Sequence, residues 1–159
     1  MKEMIDYAEK MLRAKQNRDT AFALLRSKYP DAGRGAIVAA FNVATEKIRR
    51  QKFIEAFQEV QSEAHLIARE KGWHDEERTF GDDIALMHSE LSEALEGFRV
   101  GNPKSKKIPE FSEIEEELAD VVIRIMNAAS KMGFNVAGAI PAKIAFNAGR
   151  KYRHGGKLL

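Results

Sequence analysis

Apolar residues recur at spacings of three and four along almost the whole chain, which is the period of an amphipathic helix. No segment shows the alternation of apolar and polar residues that is typical of a half-buried strand. The strongest breaks divide the chain into helical segments, and they lie at Tyr29-Pro30, Lys71-Gly72, Gly101-Asn102-Pro103 and Gly133. The sequence therefore predicts an all-α fold.

The 159 residues are enough for one domain with a substantial core. We expect a four-helix core in residues 51–159 and a helical N-terminal extension of unassigned role in residues 1–50. The pattern predicts helices over about 2–16, 19–28, 33–71 (with a bend near 50–52), 79–100, 112–133 and 136–152. We expect their large apolar residues to be buried, among them Val60 and Ile67 in the third segment, Leu91, Leu95 and Phe98 in the fourth, and Leu118 and Val122 in the fifth.

Composition bears on where such a chain works. The absence of cysteine excludes disulfides and thiolate metal sites and fits a reducing compartment. The first fifteen residues carry charges throughout, so we expect no secretory signal peptide. No stretch approaches the roughly 20 apolar residues that span a bilayer. We therefore expect a cytoplasmic protein with no membrane association.

Charge is spread unevenly along the chain. Residues 1–50 carry 11 Lys/Arg against 6 Asp/Glu, while the whole chain has a net charge of only +2. Two interpretations of this basic arm stay open, a polyanionic partner and an ordinary solvated helical surface. At this modest charge density we expect no nucleic-acid partner.

Two pairs of carboxylates occur at helical spacing, Glu90-Leu-Ser-Glu93 and Glu117-Leu-Ala-Asp120. Residues three apart lie on one face of a helix, so each pair projects in one direction. Each pair also borders an apolar stripe, where clustered acids lose hydration and repel one another. A hard divalent cation removes both penalties, and carboxylate oxygen is the ligand that Mg²⁺ prefers. Exposed acids of ordinary amphipathic helices are the alternative interpretation.

Basic and amide side chains share one face of the last predicted helix. They are Lys143, Asn147, Arg150 and Lys151. Such a face suits a polyphosphate ligand, because cations take the phosphate charge that a metal ion leaves unpaired. A helix whose basic last turn complements its own dipole is the alternative, and it accounts for Arg150 and Lys151 alone.

Several motifs follow one another in residues 51–159. They are Trp73-His74, Glu90-Leu-Ser-Glu93, Glu117-Leu-Ala-Asp120-Val-Val-Ile-Arg-Ile, Lys143-Ile-Ala-Phe-Asn147-Ala-Gly-Arg150 and His154-Gly-Gly-Lys157. In this order they resemble MazG-type proteins, which belong to the all-α nucleoside triphosphate pyrophosphatases. Asn127 stands where an aspartate is expected in the closest MazG-like sequences. Residues 1–50 lie outside the resemblance.

The resemblance implies a fold, a reaction and a set of site residues. Family members cleave nucleoside triphosphates between the α- and β-phosphates, using Mg²⁺, with Mn²⁺ as an alternative. They assemble as homodimers or homotetramers. Carried over by position, the metal-binding and catalytic residues are Glu90, Glu93, Glu117 and Asp120, and one of them activates the attacking water. The substrate contacts are Lys143, Asn147, Arg150 and Lys151, with Trp73 stacking on the base unless it is a core anchor.

Three classes of function remain at this point. The first is a pyrophosphatase that controls or cleans the nucleotide pool. The second is a non-catalytic binding or regulatory module that holds nucleotide, or a partner through its basic N-terminal arm. The third is a helical interaction protein whose acids are surface residues. The complete set of four acids together with the basic last helix favours the enzyme.

Overall fold

The protein is all-helical in a computed structural model that describes residues 1–151. The prediction of an all-α fold is confirmed: six helices account for the regular structure of the described residues, with one isolated bridge between Lys104 and Ser112. None of these helices has the length and apolar character needed to cross a membrane. The helices are α1 (Lys2–Arg13), α2 (Arg18–Lys28), α3 (Arg34–Glu70), α4 (Phe80–Arg99), α5 (Glu113–Met132) and α6 (Val136–Ala148).

Local signals explain where α4 and α5 begin and where α5 ends. Thr79 with Asp82, and Ser112 with Glu115, form capping boxes at the first turns of α4 and α5. Gly133 ends α5 in the left-handed conformation, with a φ of 69° that favours glycine. The last helix ends at Ala148, earlier than the predicted end near residue 152. The His154–Lys157 motif lies outside the described residues.

The chain divides into two compact units, Met1–Ala56 and Phe57–Leu159. The predicted boundary after residue 50 and the observed division both fall inside α3, which is one continuous helix. In the first unit, α1, α2 and the start of α3 enclose a small core in which Leu25 and Ile37 are fully buried. Phe41 belongs to this core and stacks on the partly buried Phe22, with their ring centroids 6.2 Å apart.

In the second unit, α4 and α5 pack as an antiparallel pair. Near the end of α4, Gly97 lies so close to α5 that a Cβ at this position would be 3.4 Å from Cγ of Glu113. Near the start of α4, Asp83 pairs with Lys131 of α5 at 3.3 Å. The residues that this pair buries are small or acidic rather than large and apolar. They are Asp83, Glu90, Ala94 and Gly97 on α4, and Glu116, Glu117, Met126, Ala128 and Ala129 on α5.

The expectation that the large apolar stripes are buried is wrong for this chain. Phe98 is 70% exposed and Leu95 is 50% exposed. The other large apolar residues of these stripes that are also exposed include Val60, Ile67, Leu91, Leu118 and Val122. Because α4 approaches α5 through Ala94 and Gly97, the larger side chains remain on the outer face of the pair.

The end of α3 and the segment after it are fastened to α5. The Gln61 amide donates to the Ser130 hydroxyl at 3.1 Å. After α3, the Lys131 ammonium donates to the Arg78 carbonyl at 2.7 Å, and the Arg78 guanidinium in turn donates to the Trp73 carbonyl. These bonds place Trp73 beside the middle of α5.

Candidate metal centre and adjoining cleft

Three of the four predicted acids come together between α4 and α5. Glu90 and Glu93 on α4 and Glu117 on α5 each offer a carboxylate oxygen, and these oxygens lie within 4.8 Å of one another. Glu90 and Glu117 are each only 6% exposed, whereas Glu93 is open to solvent. The group is therefore partly enclosed but accessible from one side. We call these three residues the carboxylate group.

Asp120, the fourth predicted acid, lies beside this group rather than within it. It is half-buried on α5, about one turn beyond Glu117. Burial raises the pKa of its carboxyl, and the negative charge of Glu90 raises that pKa further. Asp120 therefore extends the negative region along α5.

Glu117 has a strongly raised carboxyl pKa in this site. Burial raises the pKa of its carboxyl to about 7, helped by a hydrogen bond with Glu90 and by the charge of Glu93. Its Oε2 is buried and has no hydrogen-bond partner among the described residues. Burying such an oxygen without a partner is costly. A cation placed among the three carboxylates would supply the missing partner.

Two basic side chains border the acids. The Nε of Arg124 donates to Oε1 of Glu90 at 2.6 Å, and its Nη2 pairs with the same oxygen. The Lys107 ammonium lies 2.5 Å from Oε1 of Glu116. That hydrogen bond raises the pKa of Lys107, with smaller contributions from the charges of nearby acids. Sequence reasoning gave Arg124 no role in this site, although the resemblance motif contains it.

The loop that carries Lys107 is anchored rather than free. Ser105 is 3% exposed, and its hydroxyl donates to the Glu116 carboxylate. The same hydroxyl oxygen accepts from the backbone N–H groups of Lys107 and Ile108, at 3.1 and 2.9 Å. One buried hydroxyl thus fixes the loop to the first turn of α5.

An apolar cleft of 280 Å³ lies next to the carboxylate group. Its walls come from the end of α3 and from α5, and Trp73 lines it with a ring that is 48% exposed. The Arg124 guanidinium carbon lies 5.5 Å from the Trp73 ring centroid, close enough for a cation–π contact. Arg124 therefore contacts both the carboxylate group and the cleft. Its apolar lining residues are Val60, Ala64, Ile67, Ala68, Trp73 and Ile123.

Asn127 also lines the cleft, and two histidines fix its orientation. Nδ1 of His65 and Nε2 of His74 lie 2.9 and 3.0 Å from its Oδ1. Because an amide oxygen can only accept, both of these ring nitrogens carry a proton. The Asn127 Nδ2 has no hydrogen-bond partner within residues 1–151 and remains available as a donor. The side-chain oxygen of Asn127 is thus engaged by two imidazoles.

The predicted basic face does not contact the carboxylate group in the described part of the chain. Lys143 and Asn147 lie on α6, and Arg150 and Lys151 follow it, all of them exposed. The Lys143 ammonium lies 4.8 Å and the Arg150 guanidinium 5.3 Å from the ring centroid of Phe146. A phosphate-binding role for these four residues stays a prediction.

No protein-family model matches this chain, and no curated protein or solved structure shows significant similarity to it.

Proposed function

We propose that the protein is a magnesium-dependent nucleoside triphosphate pyrophosphohydrolase of the MazG type. Water would add to the α-phosphorus, the bond between that phosphorus and the oxygen bridging to the β-phosphate would break, and the products would be a nucleoside monophosphate and pyrophosphate. The observation that carries this proposal is the convergence of Glu90, Glu93 and Glu117, with a buried oxygen of Glu117 left unpaired.

The donor set of the carboxylate group fits a hard divalent cation. Mg²⁺ takes oxygen ligands, and Mn²⁺ accepts the same ligands. Neither thiolate nor imidazole enters the group, which disfavours Zn²⁺. When bound, the cation neutralises phosphate charge and lowers the pKa of a coordinated water.

The cleft offers a place for the nucleobase. Clefts of roughly 300 Å³ and more hold small ligands when they combine apolar walls with a few polar groups. The half-exposed Trp73 ring supplies a stacking surface, and the free amide N–H groups of Asn127 supply a donor that an acceptor on a base can meet. Arg124 contacts both the cleft and the carboxylate group. A nucleotide with its base in the cleft could therefore extend its phosphates past Arg124 to the carboxylate group.

The ion pair between Arg124 and Glu90 favours a second candidate. It satisfies one buried acid without any cation, as expected of a non-catalytic module that binds nucleotide or a partner through its basic N-terminal arm. The unpaired oxygen of Glu117 favours the enzyme, because the Arg124 pair leaves it unsatisfied. We further propose that the enzyme works in the cytoplasm on the nucleotide pool, as a homodimer or homotetramer.

Pyrophosphate release from a panel of canonical and modified NTPs and dNTPs tests the proposal. The wild-type protein should release pyrophosphate with Mg²⁺ and not with EDTA. Glu93→Ala should reduce pyrophosphate release by about 100-fold or more, because it removes one of the three proposed metal ligands. It should leave the helical circular-dichroism signal intact, because Glu93 is exposed.

Glu96→Ala is the matched control, since Glu96 is exposed on the same helix and pairs with Arg99. It should behave like wild type. If no triphosphate is cleaved, or if Glu93→Ala cleaves as fast as wild type, the proposed function is wrong.

A further inference from the structure

Arg124 lies on the face of α5 that carries the acids, four residues after Asp120 and seven after Glu117. Its side chain is 23% exposed. Side chains at these spacings point in one direction, so the guanidinium reaches the same volume as the acids. The spacing of residues along α5 therefore places Arg124 beside the acids.

The guanidinium is only partly satisfied. Nε and Nη2 both bond to one oxygen of Glu90, and the guanidinium carbon lies 5.5 Å from the centroid of the Trp73 ring. Nη1 makes no hydrogen bond to any residue in the range 1–151. Arginine carries five N–H donors in a planar fork that matches a phosphate. The Nη1 donors therefore remain free on a residue that lines the cleft.

A divalent cation and Arg124 compete for the same carboxylate. Glu90 offers one carboxylate oxygen to the group that can hold a cation, and Arg124 already binds Oε1 of that carboxylate. Two positive groups on one carboxylate repel each other, and they do so strongly where burial reduces screening. Binding of the cation therefore weakens the hold of Glu90 on the guanidinium.

A phosphate offers the displaced guanidinium a new partner. In a nucleotide whose base lies against Trp73 and whose polyphosphate reaches the carboxylate group, the α-phosphate comes between the two. Arg124 already occupies that position. Arginine binds phosphate with paired, charge-assisted hydrogen bonds.

We propose that Arg124 is a substrate-sensing residue that pairs with Glu90 while no cation is bound and passes to the α-phosphate of the nucleotide when a cation takes Glu90. This inference rests on the proposed function and adds to it an order of events. Cation binding frees Arg124, and the freed Arg124 then recognises a nucleoside phosphate.

Two binding measurements on the full chain test the exchange. Mn²⁺ alone is titrated calorimetrically into the protein at pH 8.5, where protons compete least for the carboxylates. An NTP analogue with a methylene group in place of the α,β-bridging oxygen is then titrated in saturating Mn²⁺. Arg124→Gln should bind Mn²⁺ about tenfold more tightly, because the competing cation is gone, and bind the analogue at least about tenfold more weakly.

Opposite shifts for metal and nucleotide are the signature of exchange. A purely structural role would move both affinities in one direction. Arg124→Lys keeps the positive charge but loses the planar fork, so it should bind Mn²⁺ as wild type does and bind the analogue more weakly. Arg99→Gln, which removes an exposed arginine paired with Glu96, should change neither affinity.

The outcomes of these measurements distinguish a failure of this inference from a failure of the proposed function on which it rests. If Arg124→Gln shows any pattern other than opposite shifts, while the wild type binds Mn²⁺ and hydrolyses triphosphates, the exchange is wrong and the function stands. A wild-type protein that binds no divalent cation would overturn both.

Discussion

Glu117 combines burial with an unsatisfied charge. It faces Glu90 on the adjoining helix, and one of its oxygens has no partner among the described residues. Such a residue lowers the free energy of unfolding of the cation-free protein, and it does so more when it is ionised. A cation bound among the three carboxylates would remove this cost, and the unpaired oxygen of Glu117 therefore supports the proposed metal site.

Glu117→Gln should therefore stabilise the cation-free protein at high pH. The pKa of Glu117 is higher in the folded chain, about 7, than its ordinary value of 4.5. The folded state then binds more protons than the unfolded state between these pH values, so the wild-type free energy of unfolding falls as pH rises through that window. In EDTA at pH 8.5 the variant should be more stable than wild type by about 1 kcal/mol.

Urea denaturation at pH 5 and pH 8.5 measures this effect. The difference between Glu117→Gln and wild type should be larger at pH 8.5, and Mg²⁺ should stabilise the wild type but not Glu117→Gln. Glu96→Gln, which replaces an exposed acid on α4, should match the wild type at both pH values and should be stabilised by Mg²⁺ as the wild type is. A variant that is less stable than wild type at pH 8.5 would contradict the electrostatic argument.

At the residue scale, the sequence predicted the acids but not their neighbours. The spacing of three in each motif is local, so it was enough to place Glu90 with Glu93 on one helix face. The contacts of Asn127 with His65 and His74 join residues 62 and 53 positions apart. They depend on how α3 and its following segment pack against α5, which no local pattern encodes.

The first turn of α5 and the loop before it form the best-anchored element near the site. Ser112 and Glu115 cap the helix, and the Ser105 hydroxyl holds both the Glu116 carboxylate and the loop backbone. This arrangement keeps Lys107 beside the acids. The sequence predicted a break at Gly101-Asn102-Pro103 and a helix over about 112–133, while the role of Ser105 emerged only from the fold.

Ser105→Ala should lower the free energy of unfolding by about 1 to 3 kcal/mol, because the buried Glu116 and two backbone N–H groups lose a partner. Chemical denaturation measures the change. Ser92→Ala is the control, since the exposed Ser92 hydroxyl bonds to the His88 carbonyl of its own helix. Equal stabilities for the two variants would show that the anchor is unimportant.

The wrong expectation about the apolar stripes also belongs to the element scale. Periodicity shows that a helix has an apolar face, but it does not show what covers that face. On α4, Ala94 and Gly97 let α5 approach closely, and Leu95 and Phe98 are left outside. Glu90 and Glu117 are consequently buried between the helices instead of bordering a buried stripe.

At the scale of the whole molecule, the exposed apolar side chains of α4 and α5 point to self-association. Leu91, Leu95, Phe98, Leu118 and Val122 are all substantially exposed in the single chain. Exposed apolar patches of this kind mark protein interfaces more often than free surface. They support the proposal of a homodimer or homotetramer.

Leu95→Glu should weaken that assembly. Each large apolar side chain contributes about 1.5 to 3 kcal/mol when buried, and a symmetric interface loses it twice. Light scattering after size exclusion should show a dimer or tetramer for wild type and a lower mass for the variant at the same concentration. Val43→Glu, at an exposed apolar residue of the first unit, should keep the wild-type mass. A monomeric wild type would contradict the prediction.

The central claim is that three carboxylates of α4 and α5 hold a divalent cation, and anomalous diffraction from crystals soaked in Mn²⁺ tests it most directly. The account predicts an anomalous peak among Glu90, Glu93 and Glu117. Crystals of wild-type protein with Mn²⁺ at other positions only, or with none, would contradict it.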